Sequence, residues 1–339
     1  MSNQQSPLQK NAVPLRPGLR GGISRIMARP EIGVTVGLLV IWTFFYALSP
    51  KFLWLSNIGS ISSLAAELGI IAVGMSFLQI AGEMDLSVGS VFVFAPTIML
   101  RVVNWLNVPT FVGFLAAIAF CVLVGWFNAT VTLRFKLPSF IVTLATMMFL
   151  SGLLLAVTGG FITELSGKRL FFSILAQRIG DFRVSVLWMV AIVLFFHFIL
   201  NFTRYGNWVF ATGGNSVIAL KMGIDIDRVK MRNFIICSVL AGFAGCMSAA
   251  RVYSVNPSVG FDLMFDAMAS GIIGGCLITG GQGSIIGTFL GVLLLSSVSS
   301  GLILAGASPY WYRAFVGAII LVVVIINLLI VGNKGKVTK

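Results

Sequence analysis

The chain has 339 residues, of which 58% are hydrophobic and 10% charged, with a mean hydropathy of +1.01. A water-soluble domain carries about 25% charged residues, so this composition excludes one and indicates a polytopic membrane protein. The formal net charge of +13 reads as membrane topology and contact with anionic lipid rather than nucleic-acid binding.

The first 31 residues form a basic arm with Lys10, Arg16, Arg20, Arg25 and Arg29. Its Pro, Gly, Gln and Asn content predicts a mostly disordered tail, and no cleavable signal peptide is expected. A spanning helix needs about 20 mostly apolar residues. Ten candidate spans follow: Ile32–Leu48, Ser60–Ile80, Leu86–Val103, Thr110–Leu133, Pro138–Thr158, Val184–Phe202, Asn233–Arg251, Phe265–Thr279, Ser284–Leu304 and Tyr312–Val331. The eighth is short and glycine-rich and reads as broken or re-entrant. Residues 32–331 form the membrane domain, and 332–339 a second basic tail.

With both termini inside, 15 of the 23 Lys and Arg residues fall on the inner side and 8 on the outer. That obeys the positive-inside rule and puts the longest polar interruption, Thr203–Arg232, in the cytoplasm. Trp54, Trp105, Trp188 and Trp311 fall near outer ends, as an interfacial belt would. Within the cytoplasmic segment, Asn215 is a candidate N-cap and Gly223 a helix stop, predicting a short helix over 215–222. The stretch Leu137–Thr146 resembles Ser308–Gly317, 171 residues on (308 − 137). The two turns lie on opposite sides, the pattern of an inverted repeat in which spans two to five match seven to ten.

Ala81–Ser90 reads A-G-E-M-D-L-S-V-G-S. Glu83 and Asp85 sit between apolar spans with no cation beside them in sequence. A carboxylate at membrane depth is costly and must face water, a helix end or the bundle interior. Asp85 suits the N-cap of the third span; lining or gating a pathway is the alternative. The neutral polar residues in the spans, among them Ser76, Gln79, Asn128, Thr143, Thr146 and Ser151, offer hydrogen-bond partners along a largely apolar wall. Candidate pathway residues are Gln79, Asp85, Ser87, Asn128, Thr143 and Asp266. Gly271, Gly275, Gly283, Gly287 and Gly291 read as a close-packing face. Glu67 and His197 read as satisfied packing residues rather than a proton relay. The four cysteines, Cys121, Cys237, Cys246 and Cys276, all lie in apolar spans and read as small packing residues without disulfide or metal. There is no G-x-x-x-x-G-K-[ST] phosphate loop, no His/Cys metal cluster and no nucleophile elbow. Enzyme chemistry is therefore not expected, and no cofactor or metal is assigned to this chain.

Taken in order, G-E-M-D-L-S-V-G-S, P-S-F-I-V-T-L, G-G-N-S-V-I-A-L-K-M-G-I-D, S-V-L-A-G-F-A-G and I-G-G-C-L-I-T-G-G-Q-G-S-I-I-G-T resemble the permease subunit of ribose-type ABC importers, over roughly Ile32 to Val331. The resemblance implies an all-α, ten-helix inverted-repeat bundle of the cobalamin-importer class in a bacterial inner membrane. It implies a dimer, most simply a homodimer, working with a cytoplasmic ATPase that carries ATP and magnesium and with a periplasmic sugar-binding protein. Gly213, Gly214, Asn215, Ala219, Lys221 and Gly223 match the cytoplasmic motif and are expected to couple to the ATPase. The implied substrate is a monosaccharide, a pentose or related polyol. Autoinducer-2, nucleosides and amino acids are alternatives within the class, and an ion-gradient-driven transporter is the alternative outside it. Two positions depart from the pattern: Glu83, where Gly is usual, and Met264, where Glu is common.

Overall fold

The computed structural model describes residues 30–164, 170–308, 310–319 and 321. The basic arm through residue 29 and the C-terminal tail lie outside the described residues, as do most of the tenth predicted span and Pro309 of the second repeat motif.

Most of the described chain is helical, joined by turns and short breaks, with strands of only two residues. The long helices are α1 (Pro30–Leu48), α2 (Leu55–Ile80), α3 (Val88–Leu106), α4 (Thr110–Phe135) and α5 (Ser139–Thr158). A short α6 (Leu170–Ala176) precedes α7 (Val184–Phe202), α8 (Arg204–Gly214), α9 (Ser216–Lys221) and α10 (Ile226–Val252). The last elements are α11 (Phe261–Ile273), α12 (Ile285–Leu304) and a helix α13 over 310–319. Among the described residues, eight of these are long and apolar enough to cross a membrane: α1 to α5, α7, α10 and α12. The protein is an all-α polytopic membrane protein.

Burial sorts the helices into layers. In α2, 83% of the most apolar window is buried, against 11% in α1 and 22% in α7. The core therefore lies around α2, α3, α10 and α12, while α1 and α7 present apolar residues outward, as lipid-facing helices do. All four cysteines are free and buried. The four tryptophans of the predicted belt are exposed to differing degrees, Trp105 most and Trp188 least, and the alternation of the chain brings all four to one end of the bundle.

The element boundaries carry the repeat further than the motif did. Helix α2 begins at Leu55 and α10 at Ile226, 171 residues apart (226 − 55). Helix α5 begins at Ser139, and residue 310, at the same 171-residue offset, is helical in α13. In the same register α3 matches α11 and α4 matches α12. The segment after α2 turns through Gly82 at φ 79°, and the segment after α10 through Tyr253 at φ 57°.

Several boundaries differ from expectation: the second span starts at Leu55 rather than Ser60, and the seventh at Ile226 rather than Asn233, within the segment expected to be a loop. The third span starts at Val88, with Ser87 rather than Asp85 at the N-cap position. The eighth is a 13-residue helix, Phe261–Ile273, that starts four residues before the predicted span and stops at Gly274, before a glycine-rich turn. The Thr203–Arg232 segment holds two helices, α8 and α9, not one. Polar caps define these short elements: Thr203 Oγ1 accepts from Gly206 N, Asn215 Oδ1 from Ile218 N, and Asp225 Oδ1 from Arg228 N.

Candidate translocation pathway and coupling segment

Asp85, Ser87, Asn128 and Thr143 meet in one buried network between α2 and α3. Asp85 Oδ1 accepts from the backbone N–H of Ser87 at 2.8 Å and from its hydroxyl at 2.5 Å. Asn128 Nδ2 of α4 donates to Ser87 Oγ at 2.9 Å, and Thr146 Oγ1 of α5 donates to Asn128 Oδ1 at 2.7 Å. The N–H of Leu86 donates to Thr143 Oγ1, and that of Met84 to Ser139 Oγ. Two side chains of α5 thus satisfy backbone N–H groups of the break, while α4 holds the Ser87 hydroxyl, the condition for non-helical chain at membrane depth. Asp85 is fully buried, and its second oxygen, Oδ2, has no hydrogen-bond partner. Its bonds to Ser87 make a turn one step ahead of the helix rather than a cap on it.

Gln79 and Asp266 lie apart from this network. Gln79 Nε2 donates to the carbonyl of Met268 in α11 at 3.1 Å, and a Cβ on Gly271 would sit 2.1 Å from Gln79 Oε1. Asp266 Oδ2 accepts from the Tyr312 hydroxyl of α13 at 3.1 Å. Ser76 and Thr288 share a hydrogen bond of 2.8 Å between α2 and α12.

The glycines of the α11–α12 region fall into two kinds. Gly287 and Gly291 sit where a Cβ would come within 2.0 Å of Gly274 O and 2.4 Å of Ser270 O; Gly283 abuts Ile80. Gly275 instead turns the chain at φ 94°.

The coupling candidates occupy α8, α9 and the turns beside them. Gly213 is packed backbone to backbone, since a Cβ there would fall 1.8 Å from Ile80 O. The same carbonyl accepts from Gly281 N at 2.8 Å. Gly214 is looser, 3.8 Å from Gly281 Cα. Gly223 takes φ 80° in open space, as a helix-ending turn requires. Ala219 is buried, whereas Lys221 is exposed and so are Val217, Ile218, Leu220 and Met222.

Two ion pairs were not legible from spacing. Lys230 Nζ lies 2.5 Å from Glu83 Oε1, joining the α2–α3 break to the start of α10. Arg251 Nε lies 2.7 Å from Glu67 Oε1, joining α10 to α2. Glu83, with no cation beside it in sequence, and Glu67, read as a satisfied packing residue, are thus each paired across more than a hundred residues of chain. His197 Nδ1 lies 3.1 Å from Asn201 Nδ2 within α7.

Residues 57–324 match the family model described as branched-chain amino acid transport system / permease component. The xylose/arabinose import permease protein XylH of Sulfolobus acidocaldarius is 30% identical over 90% of this chain and 86% of its own. The ribose import permease protein RbsC of Escherichia coli K12 is 30% identical over 86% of this chain and 92% of its own. The probable ABC transporter permease protein YphD of the same strain is 31% identical over 97% and 99%. No solved structure gives a significant match. With a family match over most of the chain and relatives this similar along nearly their whole length, the protein belongs to this ABC-importer permease family and is a transport subunit, not an enzyme.

Proposed function

We propose that the chain forms the translocation pathway of an ATP-driven, binding-protein-dependent importer for a pentose or related monosaccharide. The observation that carries this reading is the end-to-end similarity to relatives named for xylose/arabinose and ribose import. The interior chemistry supports it. Around Asp85 the polar groups contributed by α3, α4 and α5 are hydroxyls and one amide. The charged groups Glu67 and Glu83 are each tied to a cation. A pathway for ions carries rings of opposite charge; a wall of hydroxyls, amides and apolar surface suits a neutral hydroxylated solute.

In this reading α8 and α9 dock on a cytoplasmic ATPase that carries ATP and magnesium. The exposed Val217, Ile218, Leu220 and Met222 are the apolar surface for that contact. Gly213 passes the displacement to Ile80 at the end of α2. A second copy of the chain completes the channel in a bacterial inner membrane, both termini face the cytoplasm, and a periplasmic binding protein delivers the solute.

The family description favours a second reading, a branched-chain amino acid substrate. Uptake of labelled D-ribose, D-xylose, nucleosides and leucine by cells expressing the importer decides between them. Pentose uptake is expected; uptake of leucine alone overturns the sugar assignment and leaves the permease assignment standing.

A further inference from the structure

The break between α10 and α11 repeats the break between α2 and α3, residue for residue. Asp85-Leu86-Ser87-Val88-Gly89 is matched by Asn256-Pro257-Ser258-Val259-Gly260 in the same 171-residue register (256 − 85). The turn geometry repeats too. Asp85 Oδ1 accepts from Ser87 N at 2.8 Å, and Asn256 Oδ1 accepts from Ser258 N at 3.0 Å. The two turns touch where their motifs end. A Cβ on Gly89 would lie 2.5 Å from Gly260 O, and a Cβ on Gly260 would lie 2.5 Å from Gly89 O. That reciprocity is what a two-fold relation between the repeats produces at its axis.

Beside this crossing lies a cavity of about 180 Å³. Ser90 on α3, Ser151 on α5 and Ser258 on the second turn contribute hydroxyl-bearing residues, and Val93, Met147 and Leu154 contribute apolar surface. Both repeats therefore build its wall. Small-molecule sites are mainly apolar with a few convergent polar groups, and pockets for drug-sized ligands run about 300–1,000 Å³. A cavity this much smaller suits a single compact solute. The lining is also specific in kind: hydroxyl-bearing residues to meet solute hydroxyls, an apolar wall for a ring's C–H face, and no charged residue.

We propose that this cavity is a solute-binding station at the interface of the two repeats, taking one neutral, hydroxylated small molecule. The proposal rests on the import function given above. Gly89 belongs both to the Gly89–Gly260 contact and to the cavity lining, so the cavity borders the crossing of the two repeats.

The test uses the assembled importer in membrane vesicles. The native cysteines are buried, so a cysteine introduced at Ser258, which is exposed, dominates the reaction with a neutral methanethiosulfonate reagent. Saturating D-ribose or D-xylose is expected to slow modification of S258C about ten-fold, the protection given by roughly 90% occupancy of a site. R134C at the end of α4, exposed and outside the docked segment, should react at the same rate with and without solute. S151W, which fills the cavity, should lower uptake about ten-fold, the scale of one overpacked site, while F198W on the outer face of α7 should not. If neither pentose is taken up but another solute is, the sugar assignment fails, and protection of S258C is measured with that solute instead. Reactivity of S258C that is unchanged under a saturating transported solute overturns the site, whatever S151W does.

Discussion

The two repeat-related turns share a backbone but not a setting. The Asp85 turn is fully enclosed: Asn128 holds Ser87, Thr146 holds Asn128, and Thr143 and Ser139 hold the backbone N–H groups of Leu86 and Met84. The Asn256 turn is largely open. Asn256, Ser258 and Val259 are exposed, and the described bonds within the turn are Asn256 Oδ1 to Ser258 N and Val259 N to Asn256 O. One copy is clamped by two neighbouring helices and carries a carboxylate. The other is held by local bonds and carries the neutral amide. The duplicated element has an enclosed half and an open half, and the difference lies in the neighbours supplied by α4 and α5.

The largest effect is expected where the halves touch. Gly260 combines φ 119° with the close carbonyl of Gly89, so Gly260→Val brings both backbone strain and overlap, the latter alone costing about 1–3 kcal/mol. Uptake should be lost while immunoblotting shows the chain still in the membrane. Gly89→Val should behave alike; normal uptake in either variant would break the symmetry argument.

Next comes the clamped turn itself. Asp85→Leu orphans the Ser87 N–H and hydroxyl in a buried site, each costing about 1–3 kcal/mol, and should cut both uptake and thermal stability in detergent. Asp85→Asn keeps an oxygen for both donors and should retain most activity. Asn256→Leu at the exposed turn should lose less than half as much stability as Asp85→Leu. Equal, complete loss in Asp85→Asn and Asp85→Leu would mean that the charge acts in transport directly.

A smaller contrast separates neighbouring glycines of the coupling segment. Gly213→Ala meets the Ile80 carbonyl, whereas Gly214→Ala meets ordinary contact distance. Uptake per ATP hydrolysed should fall severalfold in the first, on the scale of about 1–3 kcal/mol of overpacking, and little in the second. The smallest effect is expected for Arg228→Gln, which loses only the exposed ion pair with Asp225 at the start of α10. It should cost roughly 0.5 kcal/mol, and less at high salt, read from thermal unfolding.

The helices were legible because a long apolar run has few alternatives, and the Asn215 cap because its signal is local. Helix α8 was not. It carries Gly206, Gly213 and Gly214 in 11 residues, and each glycine costs about 1 kcal/mol of helix propensity. Close packing against Leu200 O and Ile80 O, which requires glycine at two of these positions, is a tertiary gain invisible to local reading. The pairs Glu83–Lys230 and Glu67–Arg251 span 147 and 184 residues, beyond any helical spacing rule. The second turn stands at the same 171-residue offset that Leu137–Thr146 and Ser308–Gly317 set, but with Asn for Asp and Pro for Leu its five residues share too few identities to stand out alone. The Asp85 network joined four of the six pathway candidates because polar side chains in apolar spans must find one another; Gln79 and Asp266 found partners on α11 and α13 instead.

The most direct test of the account is uptake into proteoliposomes holding this chain with its ATPase and binding protein, ion gradients collapsed by ionophores. Labelled D-ribose or D-xylose should accumulate when ATP is supplied to the ATPase side and not without it. Accumulation that needs an ion gradient and ignores ATP would contradict the account.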